Sequence, residues 1–305
     1  MTVLIRVIET ALPVVAALLL GMFCREKNFL TREGIDSLKK VVINLTLPFV
    51  LLNAFATADY SGNALIQPLL IFLLCVAALI IGWGLAKLLK LPGKLPAYLA
   101  TGFEAGMLGY ALFVLLFPED STANFAILDL GQTLFVFTLY KALLSGKDGL
   151  KAVVKDILVS PIIWAVAGGI LLGATGLYRT MGTWGVVGIL DSLTSFLSAP
   201  TGMIILLTIG YDLVLREIRW KETSRYIILR LVTMAVLAVI ILAVNRIFLN
   251  GTIHEGAAIL LLILPPPYVL PIFADDPKQR TSISSALSAL TLVCLIIFAV
   301  MTALV

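Results

Sequence analysis

The run LIQPLLIFLLCVAALIIGWGLA, from Leu65 to Ala86, holds twenty-two residues without a formal charge. As an α-helix rising 1.5 Å per residue it reaches about 33 Å, enough to cross the roughly 30 Å of hydrocarbon in a bilayer. Ser192 to Tyr211 has the same character. Around these runs the whole chain is apolar: 60% of its 305 residues are hydrophobic, 13% are charged, and the mean hydropathy is +1.07. A water-soluble fold of this length lacks the interior to hide so much apolar surface, whereas lipid as outer solvent removes the difficulty. Period-two alternation is absent, which disfavours a membrane barrel. The fold class expected is therefore an all-α polytopic membrane protein.

Ten spans can be drawn, at 4–24, 37–57, 65–86, 96–117, 122–143, 156–177, 187–211, 226–248, 256–273 and 282–304. The first reads as a span rather than a signal peptide, because Pro13 interrupts it. Eighteen of the twenty-two lysines and arginines fall in or beside the connections after spans 1, 3, 5, 7 and 9. Basic residues stay on the cytoplasmic side, so both termini of this multi-pass protein are expected outside. The net charge of +4 is then a topological signal, and no nucleic-acid partner is implied. The partners expected are membrane lipids and a small solute, with a homodimer left open. Cys24, Cys75 and Cys294 lack metal-ligand spacing and read as small buried hydrophobes.

Five spans precede the polar stretch at 145–155 and five follow it. An odd-numbered unit starts its second copy on the opposite side of the membrane, so two inverted five-helix repeats are expected, 1–144 and 156–305, joined by a cytoplasmic loop at 145–155. Span 2 carries Asn44-Leu45-Thr46-Leu47-Pro48 and its counterpart, span 7, carries Ser198-Ala199-Pro200-Thr201. Each proline removes a backbone donor in mid-membrane. Spans 4 and 9 are the other odd pair. Span 4 contains Gly102-Phe103-Glu104-Ala105-Gly106-Met107-Leu108-Gly109, and span 9 contains Pro265-Pro266-Pro267-Tyr268-Val269-Leu270-Pro271. Neither reads as an ordinary continuous helix. Interrupted spans at matching places in two halves point to the solute site of a secondary transporter.

Glu104 stands about eight residues inside its span, where a carboxylate must be paired, wet or protonated. It is a candidate proton carrier or sodium ligand, or else a neutral acid bridging helices. Asp129, Gln132 and Thr133 share a helical face and form either part of the cavity or a helix-packing network. For Arg230, snorkelling to the interface is favoured over pairing with an anion. Asp191 and Asp212 fall at headgroup depth. His254, the sole histidine, sits in a loop, and neither a catalytic pair nor a phosphate-cradling glycine loop emerges. No enzyme activity and no cofactor are expected, beyond a coupling Na+ or H+.

The stretch from Leu20-Gly21-Met22-Phe23 through Leu30-Thr31 to Lys40-Val41-Val42-Ile43-Asn44-Leu45-Thr46-Leu47-Pro48, together with Thr101 to Gly109 and Pro200 to Leu213, resembles the auxin efflux carrier family, which includes bacterial malonate-type carriers. The resemblance covers almost the whole chain. It implies two inverted five-helix repeats, with broken helices 4 and 9 crossing near the centre, a fold similar to that of bile-acid sodium symporters. It further implies elevator-like alternating access, with an organic-anion site at the crossing. Glu104 departs from the family's usual asparagine and Tyr110 from its usual proline, so the substrate of a familiar member does not carry over. The function expected is secondary transport of a small carboxylate, driven by the substrate gradient and membrane potential or coupled to sodium or protons through Glu104. The rival is an uncoupled, channel-like facilitator or a ligand-sensing membrane protein of the same fold.

Overall fold

The computed structural model describes residues 2–58, 60, 66–145, 159–213, 218, 220–268, 270 and 277–304. Residues 146–155 of the expected connecting loop, and Pro271 of span 9, lie outside this set. The described chain is helical and contains no strand. It begins with α1 (Thr2–Glu26) and α2 (Arg32–Val41). The Thr31 hydroxyl starts α2 by accepting the Gly34 N–H at 3.1 Å, which satisfies one of the amides a helix start leaves bare. A π-turn over Val42–Thr46 continues α2 into α3 (Leu47–Ala56). The π-turn lies immediately before Pro48, whose missing N–H removes one rung of the helical ladder.

After α4 (Ile66–Leu88) comes a 3-10 turn over Leu95–Ala100, a non-helical link, a π-turn over Ala105–Gly109 and α5 (Tyr110–Leu116). Next are α6 (Ala123–Phe135), a π-turn over Val136–Tyr140 and α7 (Lys141–Ser145). The second half holds α8 (Pro161–Ala174), α9 (Leu177–Thr183), α10 (Val187–Ser198) and α11 (Thr201–Asp212). It ends with α12 (Trp220–Ile247), α13 (Glu255–Ile263) and α14 (Pro277–Leu304).

Among the described residues, six stretches are long and apolar enough to cross a bilayer: Arg32–Ala56, Ile66–Leu88, Ala123–Leu144, Val187–Asp212, Thr223–Ile247 and Lys278–Leu304. The pair α8–α9, bent by 66°, makes a seventh if taken as one span. The outward faces are apolar. Leu69, Ile80, Trp164, Phe196 and Val239 are all at least 60% exposed, which suits contact with acyl chains rather than water.

Helices approach closely where side chains are small, as packing in lipid requires. α1 lies along α11, and α3 along α8. At the first crossing a Cβ on Gly210 would stand 2.1 Å from the Leu18 carbonyl oxygen, and one on Gly21 would stand 2.0 Å from that of Leu207. Arg25 closes the same pair by donating from Nη1 to the Tyr211 and Leu213 carbonyls, each at 2.8 Å, so a cation caps the end of α11. The three cysteines are free and buried.

Candidate functional site

Two interrupted backbones meet inside the bundle. Between Thr101 and Glu104 the chain leaves helical geometry, and Gly102 takes φ +70°, the left-handed region open to glycine. A Cβ there would press on the Pro267 ring at 3.0 Å. On the other side α13 stops at Ile263, because Pro265, Pro266 and Pro267 offer no N–H to continue it. The two interrupted segments then bond to each other. The Glu104 N–H donates to the Pro265 carbonyl at 2.9 Å, and the Tyr268 N–H donates to Glu104 Oε2 at 2.7 Å.

The carbonyls that these breaks release are taken up by Arg230 of α12. Its Nη2 donates to Gly102 at 2.9 Å and to Leu264 at 2.8 Å, and its Nη1 donates to Leu99 at 3.2 Å. The guanidinium also lies over the Phe103 ring, 4.9 Å from its centroid. Arg230 is 2% exposed, so the expected snorkelling is corrected. Its fork of donors fits three buried carbonyl oxygens, and this outweighs the short distance to the interface. Sequence reading left Arg230 out of the site. The available signal was a cation well inside a span, in a chain with two spans short of backbone donors.

Asp129, Gln132 and Thr133 of α6 do form one network, as their spacing predicts. Asp129 Oδ2 accepts the Tyr110 hydroxyl at 3.0 Å, and Oδ1 accepts Gln132 Nε2 at 3.2 Å and the Thr133 hydroxyl at 3.1 Å. Gln132 also grips Phe103, donating to its carbonyl at 3.0 Å and accepting its N–H at 3.4 Å. A cavity of about 410 Å³ opens against this network, walled by Glu104, Gly106, Asp129, Gln132, Pro267 and Tyr268, with apolar faces from Leu47, Leu51 and Phe55. Lys39 is the cation among its described walls.

Most of the remaining expected site residues sit away from this cavity. Asn44 is exposed and bonds the Lys40 carbonyl one turn back, at 2.9 Å. Thr46 and Pro200 line a groove between α2–α3 and α10–α11, while Ser198 and Thr201 line a cavity among α1, α3, α5 and α11. Pro48 is buried beside the π-turn. Gly109 is a packing residue, since a Cβ there would meet the Phe125 ring at 2.5 Å. Gly106 is roomier, with Leu47 at 3.5 Å. Pro265 and Pro266 are buried behind the Glu104 contact. His254 caps α13, accepting the Ala257 N–H at 2.9 Å, and lies 3.1 Å from Asp120. Among the described residues no group of three or more His, Cys, Asp and Glu side chains is placed to hold a metal ion.

Residues 6–144, which include the Glu104 stretch and the Asp129 network, match the sequence profile of a family described as membrane transport protein. Over these residues, a little under half of the chain, the protein is similar to this transport family, in keeping with the resemblance to the auxin efflux carriers. A relative from Methanothermobacter thermautotrophicus, described as an uncharacterized transporter, is 26% identical over 220 residues, covering 69% of each chain. The chain is thus a multi-pass membrane transport protein with two donor-poor backbone segments packed at one cavity.

Proposed function

We propose that this transporter carries a small organic anion, a carboxylate, by elevator-like alternating access, and that Glu104 couples the movement to sodium or a proton. The observation that carries the reading is the Glu104–Tyr268 contact, because it ties the two interrupted segments together at a cavity of about 410 Å³. That volume suits a small solute. A carboxylate beside a cavity at membrane depth is costly unless a cation or proton accompanies it. In this reading Gly106, Gln132, Pro267 and Tyr268 border the solute, Gly102 supplies the backbone turn behind them, and Asn44, Thr46, Pro48, Ser198, Pro200 and Thr201 shape the paired proline bends of the scaffold.

The same proposal takes the chain as ten spans in two inverted five-helix repeats. Helix packing supports it. α1 packs on α11 while α3 packs on α8, and α4 packs on α6 while α12 packs on α14. In the ten-span numbering these are spans 1 with 7 and 2 with 6, then 3 with 5 and 8 with 10, which an inverted repeat interchanges. The placement of both termini outside rests on the distribution of basic residues, and the placement in a prokaryotic inner membrane rests on the compact chain and its likeness to prokaryotic carriers.

The test is thermal unfolding of the purified protein against mono- and dicarboxylates, with sodium and pH varied independently. An anion that binds the folded state raises the apparent stability. Saturable stabilisation strengthened by sodium assigns sodium coupling, and strengthening only at lower pH assigns proton coupling. Stabilisation independent of both refutes coupling, and no stabilisation by any anion refutes the carboxylate reading.

A further inference from the structure

Beside the central cavity lies a second, of about 470 Å³, at the end of the bundle where the basic residues of α2 gather. Lys39 and Tyr268 line both cavities, so these two side chains partition them. Their chemistries differ. The central cavity has two acids, Glu104 and Asp129, and mostly apolar walls. The second has Arg32 and Lys39, two acids, and the hydroxyls of Ser284, Ser288 and Thr291. Those three lie on one face of α14 by their spacing of four and three residues.

One carboxylate already occupies the cationic pair. Asp212, the last residue of α11, places Oδ1 on Arg32 and Oδ2 on Lys39. Arg32 has a second acidic partner, Asp36, at 3.5 Å. Lys39 is 22% exposed and Asp212 35%, so their attraction is screened less than that of a fully exposed pair. Asp212 therefore sits on Lys39 as a ligand's carboxylate would. If a ligand's carboxylate took Lys39, Asp212 would keep Arg32, and each carboxylate would retain a cation. Lys39 carries its charge on a flexible four-carbon stem at the partition. An anion held there reaches the central cavity without first losing its positive partner.

The geometry points to a carboxylate-binding subsite in this vestibule, where the anion displaces Asp212 from Lys39 against the hydroxyl face of Ser284 and Ser288, an assignment that rests on the organic-anion reading above. Asp212 is then an internal competitor that rejects weak anions. The measurement is calorimetric titration of the full chain in detergent with malonate, succinate and lactate. Asp212→Asn removes the competitor and tightens binding of the preferred anion about tenfold, within the range of close charge-pair couplings. Lys39→Gln weakens it by about tenfold or more, and Lys39→Arg restores most of it. The double variant Ser284→Ala/Ser288→Ala leaves the ion pair intact and weakens binding severalfold, so the test survives if an Asp212 or Lys39 variant fails to fold. Unchanged affinity in the folded variants, with wild-type binding that responds to Glu104→Gln, overturns the vestibule and leaves the central site standing. No binding of any of these anions to wild type or to Asp212→Asn overturns both.

Discussion

The Tyr268 N–H reaches Glu104 Oε2 at 2.7 Å across 164 positions of sequence. Both partners lie where a helix has stopped: Glu104 just before the π-turn that leads into α5, Tyr268 just after three prolines. A backbone donor that helical geometry would have paired locally is paired instead with a side chain from the other half of the chain. The contact makes the two breaks interdependent, so a change at one is felt at the other.

Replacing Glu104 separates its contact with Tyr268 from its proposed coupling role. Glu104→Gln keeps a carbonyl acceptor for the Tyr268 N–H, so the melting temperature should stay near wild type, while any sodium or pH dependence of anion stabilisation disappears. Glu104→Ala leaves the N–H bare and should cost about 1–3 kcal/mol in unfolding measurements. Equal destabilisation by both variants would contradict this division.

Arg230 holds three carbonyls from two segments, at Leu99, Gly102 and Leu264. Arg230→Met fills similar volume but supplies no donor. We expect a loss on the order of 3 kcal/mol, from orphaned buried acceptors. Arg230→Lys should recover only part, because an ammonium lacks the planar fork. Chemical denaturation of the purified variants reads both.

The α1–α11 crossing should tolerate no added bulk. Gly210→Ala places a methyl where the Leu18 carbonyl already stands, 2.1 Å away, and α1 must shift. A destabilisation of about 1–3 kcal/mol is expected. Gly188→Ala, where a Cβ meets nothing within 4 Å, is the control and should leave the melting temperature unchanged.

Between α12 and α13, Glu255 accepts from Arg246 Nε and Nη2, each at 3.2 Å. These hydrogen bonds hold the Glu255 carboxyl below its ordinary value. A depressed carboxylate stabilises the folded state above its unfolded pKa and loses that contribution as pH falls through the folded value. The melting-temperature difference between wild type and Glu255→Gln should therefore be small at neutral pH and close as pH drops below the ordinary carboxylate range. It should also shrink in high salt, since the pair is exposed.

Much of this was readable in the chain itself. Leu65 to Ala86 announces a membrane helix because a spanning segment must be apolar over its whole length. Pro265 to Pro267 announce a break because proline lacks an amide hydrogen, and Asp129, Gln132 and Thr133 share a face because α-helical spacing is fixed. Each is a local property, set within a few residues by covalent geometry or by the thickness of the bilayer.

What only the tertiary structure decided is which groups answer the breaks. Arg230 lies 128 positions from Gly102 and 34 from Leu264, and no periodicity links them. Thr46 and Glu104 are both candidate site residues by sequence, yet packing turned Thr46 to an outer groove and Glu104 to the cavity. An unpaired carbonyl at membrane depth must find a donor, and sequence states that need. Which donor arrives depends on how whole helices stack, and that is settled by shape and contact between residues far apart in the chain.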